Sequence, residues 1–366
     1  MNMTMISIAT CRHNAFFRPV AVFVSTALVL ATLTAADAVP PRQTIPPCIN
    51  LPEGYRVRTL VAPLLGPDGL AVDERGRIYA CAELENRVIR IGDDGKVKTV
   101  LTGVRKPEAI CYVPGGHLYV GEDVSDARIF CLDVETLRAE VISQNRFADL
   151  EGIRVDPQRT TCWVGCYRWE IGSDVVRAAF DCRLSDVALG DGQWQPAEPS
   201  VPLRAGQVVP LDQRLRRWWI LPRYPLKEAG ITEIVFDAAG RQYFGTEGSS
   251  VCRVGADGKV EVVADGLGTP EGLCFDSEGN LWVAEESGGR VSIIKADYLA
   301  RRKPSDPPAR PAAFGKHGDV EVFADGLGSV EDVLVTSEAG GLKVYVSCET
   351  LCSILLIEPT HDTEGE

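Results

Sequence analysis

Short apolar runs recur along the chain between clusters of glycine and acidic residues. The clearest unit reads Pro270-Glu271-Gly272-Leu273-Cys274-Phe275, then Asp276-Ser277-Glu278-Gly279, then Leu281-Trp282-Val283. Runs this short, bounded by turn residues, predict strands rather than helices. Asp opening and Gly closing the four-residue link suit a type I turn, with Gly supplying the positive φ. The same phrase begins at Pro67, Pro107, Leu150, Ile231 and Val330, making six copies with Pro270. An aromatic sits inside the second strand of every copy: Tyr79, Tyr119, Trp163, Tyr243, Trp282 and Tyr345. It reads as a wedge between adjacent sheets. A repeat of about 40 residues made of short strands predicts an all-β fold, a six-bladed β-propeller of four-stranded antiparallel blades.

The sixth copy supplies three strands and ends at Ser353-Ile354-Leu355-Leu356-Ile357. The run from Tyr55 to Val61 precedes the first copy as fourth strands precede the others. The N-terminal strand is therefore expected to close the last blade, leaving no free edge there. The propeller spans residues 55–358, after a lead segment at 39–54 and before a tail at 359–366. Insertions fall at about residues 168–225 and 298–319. The first doubles the spacing between Glu151 and Thr232 and reads as an elaborated third blade, with a degenerate seventh blade as the alternative. The second, rich in Pro and charge, reads as a surface loop.

Residues 1–38 follow a different pattern. Arg12 and Arg18 precede an apolar run from Val20 to Leu33, and Ala36-Asp37-Ala38 follows as a small-x-small site. That order reads as a secretory signal peptide. The run is shorter than the roughly 20 residues a membrane span needs. The remaining chain is expected to be secreted or periplasmic with no membrane span; an uncleaved anchor is the alternative. The formal net charge of −13 excludes an electrostatic attraction to nucleic acid or anionic lipid. Once Cys11 leaves, the odd cysteine count leaves at least one thiol unpaired or paired between chains. Cys111 and Cys274 share a first-strand slot and read as core thiols. Bridges stay open between Cys81 and Cys348, and among Cys162, Cys166 and Cys182.

Candidate chemistry gathers at one mouth of the channel. The second position of each first strand gives Asp68, Glu108, Glu151, Thr232, Glu271 and Glu331. The ends of the second strands, which run antiparallel, give Glu83, Asp123, Tyr167, Glu247, Glu286 and Glu349. Arg87, Arg128 and Arg290 are expected to neutralise Glu83, Asp123 and Glu286. Carboxylates crowded together cannot all stay ionised without a counter-charge. A hard cation such as Ca²⁺ prefers oxygen ligands, so the first ring is the expected metal set. A solvated acidic mouth with raised pKa values is the alternative. The few histidines, His13, His117, His317 and His361, cannot join a Ser-His-Asp set at this mouth. Catalysis there would rest on a metal and a carboxylate.

The strand ending Ile78-Tyr79-Ala80-Cys81-Ala82-Glu83, with Asn86-Arg87, resembles NHL-repeat propellers. Pro270-Glu271-Gly272-Leu273 is similar to the Pro-Asp-Gly segment of the SMP-30/gluconolactonase group. The resemblance covers about residues 55–357. It implies a divalent metal held by two carboxylates, at Asp68 and Glu271, and two Asn side chains, at the positions of Glu151 and Thr232; this chain has no Asn there. It further implies a Ca²⁺-dependent hydrolase of lactones or small esters, expected to act on a small molecule as a monomer. Glu271 and Glu151 are then the catalytic candidates, as ligands or base. The alternative is a non-catalytic NHL-type propeller binding a protein or glycan through Trp218 and Trp219 beside Arg214, Arg216 and Arg217.

Overall fold

Runs of apolar residues between glycine-closed turns form strands as expected. Ile78–Ala82, Gln242–Thr246 and Leu281–Glu285 are buried at every position, because a sheet packs on each of their faces. Gly76, Gly240 and Gly279 close the preceding turns at φ +75°, +76° and +85°. Each donates its N–H to the Asp carbonyl three residues back, at 3.0, 2.9 and 3.1 Å. The computed structural model describes residues 48–92, 95–147, 149–155, 161–171, 174–183, 218–220, 230–255, 260–338 and 341–360.

Six four-stranded antiparallel sheets result. The first strand, β1 (Tyr55–Val61), belongs to the last blade. Blade 1 holds β2 (Pro67–Val72), β3 (Ile78–Ala82), β4 (Arg87–Ile91) and β5 (Val97–Thr102). Blade 2 holds β6 (Pro107–Val113), β7 (His117–Glu122), β8 (Ala127–Asp133) and β9 (Ala139–Phe147). Blade 3 holds β10 (Leu150–Val155), β11 (Thr161–Ile171), β12 (Asp174–Arg183) and β13 (Trp218–Ile220). Blade 4 holds β14 (Ile231–Phe236), β15 (Gln242–Thr246), β16 (Val251–Val254) and β17 (Val260–Ala264). Blade 5 holds β18 (Pro270–Phe275), β19 (Leu281–Glu285), β20 (Arg290–Ile294) and β21 (Val320–Asp325), with the short helix α1 (Ala296–Arg301) before its last strand. Blade 6 holds β22 (Val330–Glu338), β23 (Gly341–Cys348) and β24 (Ser353–Pro359). The N-terminal β1 completes it in antiparallel register, with Val57 opposite Ile357.

The core is a set of layers between neighbouring blades. One layer joins Tyr79 and Val88 of blade 1 to Ile110 and Leu118 of blade 2. Another joins Trp282 and Val291 of blade 5 to Val333 and Val346 of blade 6. Tyr79 and Trp282 are the aromatic wedges of these two layers, and each gives its polar tip to a turn Asp. Tyr79 donates its hydroxyl to Asp73 at 3.0 Å, and Trp282 donates its indole N–H to Asp276 at 2.8 Å. Cys81 and Cys348 are free thiols in separate layers, so no bridge joins them. Cys111 and Cys274 are also free. The side chains of Cys162, Cys166 and Cys182 lie outside the described ones.

Two expectations about the insertions meet the structure. Trp218 and Trp219 form β13, the outer strand of blade 3, with Trp219 opposite Ala179. Trp194, Arg214, Arg216 and Arg217 lie outside the described residues, as do residues 1–38. The second insertion is a largely exposed loop, as expected, but it is anchored to blade 4. Ala309 donates its N–H to Val263 at 3.1 Å along the outer strand β17. Arg302, only 7% exposed, reaches Glu261 at 2.8 Å and the Tyr298 hydroxyl at 2.9 Å. A buried guanidinium needs these partners, and β17 gains cover for its edge.

Candidate metal centre at the channel mouth

All six first strands break their ladder register at the same place. Pairing skips from Pro67 to Leu70, Pro107 to Ile110, Leu150 to Gly152, Ile231 to Ile234, Pro270 to Leu273 and Val330 to Val333. A bulge re-aims side chains, and here the unpaired stretch carries the first acidic ring. The second ring is fixed by a backbone bond. Glu83, Asp123, Glu247, Glu286 and Glu349 donate their N–H groups to Gly66, Lys106, Gly230, Thr269 and Ser329, at 2.7, 2.8, 3.2, 3.0 and 3.1 Å. These acceptors stand just before the first strands.

The two rings enclose a cavity of about 470 Å³ lined by thirteen carboxylates; Gly66, Pro67, Gly69 and Gly272 complete the lining. Asp68, Glu108, Glu151, Glu271 and Glu331 of the first ring line it, together with all five acids of the second. Thr232 does not. It is fully buried and donates its hydroxyl to the Pro270 carbonyl at 2.7 Å, while Glu233 beside it lines the cavity. The side chain of Tyr167 lies outside the described ones.

The expected structural salt bridges are displaced by one or two residues. Arg128 bonds Glu122 at 2.9 Å, Arg290 pairs with Glu285 at 2.8 Å, and Arg87 bonds Glu85 at 2.7 Å. The cause is local. Glu285 is the last residue of its strand and faces Arg290 across the ladder; the residue after it is turned into the cavity by its backbone bond. Burial alone would raise the Glu122 carboxyl, but hydrogen bonds from Arg128 and Arg105 outweigh it and bring it to about 2. Glu83, Asp123 and Glu286 are thereby left to the cavity.

Sequence reasoning missed Asp149, Glu233 and Asp332. Glu233 and Asp332 hold the third position of the first strand, where the other blades have Gly69, Ala109, Gly152 and Gly272. A Cβ on Gly272 would stand 2.2 Å from Asp332 Oδ1, and one on Gly152 would stand 2.8 Å from Glu233 Cα. An acid in one blade facing glycine in the preceding blade was the available signal. Below them, Arg154 pairs with Glu233 at 3.1 Å and donates to the Ile234 carbonyl at 3.0 Å. Asp332 accepts N–H bonds from Leu70 and Val333, both at 2.7 Å.

Burial followed by mutual repulsion dominates the electrostatics. Burial, then Glu331 and Glu83, hold Asp68 well above the carboxylate range. Burial, then Glu247, Glu151 and Glu286, do the same to Glu271. Glu108 is also held high, by burial, then the charge of Glu151. It hydrogen-bonds Glu151, which burial raises to about 8. Burial puts Glu331 at about 7, although Ser329 donates to it at 2.8 Å.

Two sets of three carboxylates could each hold a metal ion: Glu83 with Glu108 and Asp123, and Glu151 with Glu247 and Glu271. Within each, donor oxygens lie within 4.8 Å of one another. The first set already contains a cation, since Lys106 Nζ sits 2.7 Å from both Glu83 and Asp123. Oxygen-only donors fit a hard ion such as Ca²⁺ or Mg²⁺. No His or Cys lines the described cavity to favour zinc.

No protein-family model and no curated protein sequence matches the chain. Solved structures do share its fold. A gluconolactonase from Xanthomonas campestris is 12% identical over 83% of this chain and 90% of its own, with a TM-score of 0.54. The holo form of the PQQ domain of pyranose dehydrogenase from Coprinopsis cinerea is 13% identical over 87% and 98%, with a TM-score of 0.57. Virginiamycin B lyase from Staphylococcus aureus is 13% identical over 83% and 98%, with a TM-score of 0.50. The resemblance to gluconolactonase-like propellers therefore holds at the level of fold.

Proposed function

We propose that this propeller hydrolyses a lactone or small ester at its channel mouth, with a hard divalent cation, Ca²⁺ first among candidates, held by Glu151, Glu247 and Glu271. The supporting observation is the cavity itself, thirteen carboxylates around about 470 Å³, three of whose oxygens converge within 4.8 Å. A bound cation would polarise the substrate carbonyl. Glu331, at about 7, can accept a proton from water near neutral pH and return it to the leaving alkoxide. Protonated Glu108, bonded to Glu151, keeps one negative charge out of the ring. The remaining carboxylates accept hydrogen bonds from substrate hydroxyls, and their charge excludes anionic substrates. A neutral, hydroxyl-bearing lactone suits this lining.

The test is a panel of lactones and esters assayed with Ca²⁺ and with a chelator. Turnover abolished by chelation, and by Glu271→Gln, is expected. No turnover anywhere in the panel with Ca²⁺ present would overturn the proposal. Among the described residues no helix is long and apolar enough to cross a membrane. We infer that residues 1–38 direct export and that the enzyme acts outside the cytoplasm as a monomer on a small molecule. N-terminal sequencing of exported protein should begin near Val39, and a retained Met1 would mean an anchor instead.

A further inference from the structure

The position just before each first strand is occupied by Gly66, Lys106, Asp149, Gly230, Thr269 and Ser329. Lys106 is the one basic residue among them. Its backbone is held at φ +41°, in the left-handed region that a lysine rarely adopts. Two bonds keep it there. Its N–H donates to Asn86 Oδ1 at 2.9 Å, and its carbonyl accepts the Asp123 N–H at 2.8 Å. Asn86 is itself in the left-handed region, at φ +54°, ending the single turn Glu83–Glu85. This local frame aims the Lys106 side chain into the ring, where Nζ meets Glu83 Oε1 and Asp123 Oδ2, both at 2.7 Å.

Those carboxylates belong to one of the two sets with metal-binding spacing. We propose that Lys106 is a tethered counter-cation that occupies the Glu83–Glu108–Asp123 set and so limits the cavity to one divalent ion, bound at Glu151, Glu247 and Glu271. The inference rests on the cation-dependent reading above. An ammonium shared by two carboxylates supplies positive charge without coordination bonds, and it fills the place a second ion would take. The acidic cavity is thereby split into a closed sector and an open one. Substrate then meets a single electrophilic point rather than a two-metal clamp.

Calcium chloride stoichiometry, measured by equilibrium dialysis on the folded chain, tests this. Lys106→Gly reproduces the residue of blade 1, where Gly66 holds φ +57°, so it removes the charge without straining the turn. Lys106→Met serves if the glycine variant unfolds earlier than wild type. The expected result is one ion in wild type and two in either variant. Two ions in wild type, or one in both, overturns the role of Lys106 while leaving the cation reading intact. No ion in wild type defeats the cation reading; one ion gained by the variant would then still support Lys106 as the blocking charge, and none would overturn both.

Discussion

Glu271 carries opposite consequences for stability and for function. Burial and its like-charged neighbours all oppose its ionisation. Glu271→Gln keeps the shape and removes the repulsion. Without divalent ions near pH 8 its melting temperature should exceed that of wild type by several degrees; added Ca²⁺ should raise it less than it raises wild type, because a ligand is gone. Turnover should fall by at least about 100-fold. A variant that melts below wild type in chelator would contradict the crowding described here. At Glu122 the balance is reversed. Substituting Ala for both Arg105 and Arg128 removes both cations from this fully buried carboxylate and leaves it only the backbone N–H groups of residues 105 and 128. A loss of about 3–5 kcal/mol is expected in urea unfolding.

At the level of strands and turns, most of the molecule was legible in the sequence. The Asp-to-Gly turns and apolar runs are local signals, and they located the first two strands of every blade; β12 of blade 3 falls inside the stretch read as an insertion. Ring membership was less legible. Thr232 and Glu233 both stand in the bulge, and only the backbone register decides which one reaches the cavity. The Arg partners were displaced because a bond from Glu83, Asp123 or Glu286 to the residue before the first strand leaves no mark in composition. The anchoring of the second insertion escaped for a different reason: its partners, Glu261 and Val263, are distant in sequence. It covers the outer edge of β17, so an Ala309→Pro substitution, which removes the N–H given to Val263, should loosen that cover. Faster amide exchange along β17, with catalytic constants unchanged, is expected; unchanged protection would mean that side chains alone hold the insertion in place.

For the whole molecule, the acidic cavity sets the dependence of stability on pH. Unfolded carboxylates titrate near about 4. In the folded chain Glu331 stands at about 7, Glu151 and Asp332 at about 8, and Asp68, Glu108 and Glu271 well above the usual range. The folded state binds more protons, so stability is greatest below the unfolded values and falls as pH rises from about 4 through about 8. Glu122 acts in the other direction, adding stability above about 4 that is lost as pH falls towards about 2. Thermal melts in chelator should therefore peak near pH 4–5 and decline towards pH 8, and Ca²⁺ should flatten that decline. A melting temperature that rises between pH 5 and 8 in chelator would contradict the raised carboxyls.

The pairing of β1 with β24 bears on timing as well as on closure. A ring whose first strand waits for its last cannot be sealed while the polypeptide is still being delivered from its N-terminus. Blades 1 to 5 can assemble in turn, but the circle stays open until Ser353–Pro359 has emerged to receive Tyr55–Val61. The acidic mouth, which draws residues from all six blades, is complete only then. Activity should thus begin as a late, all-at-once event, after the C-terminal strand is free.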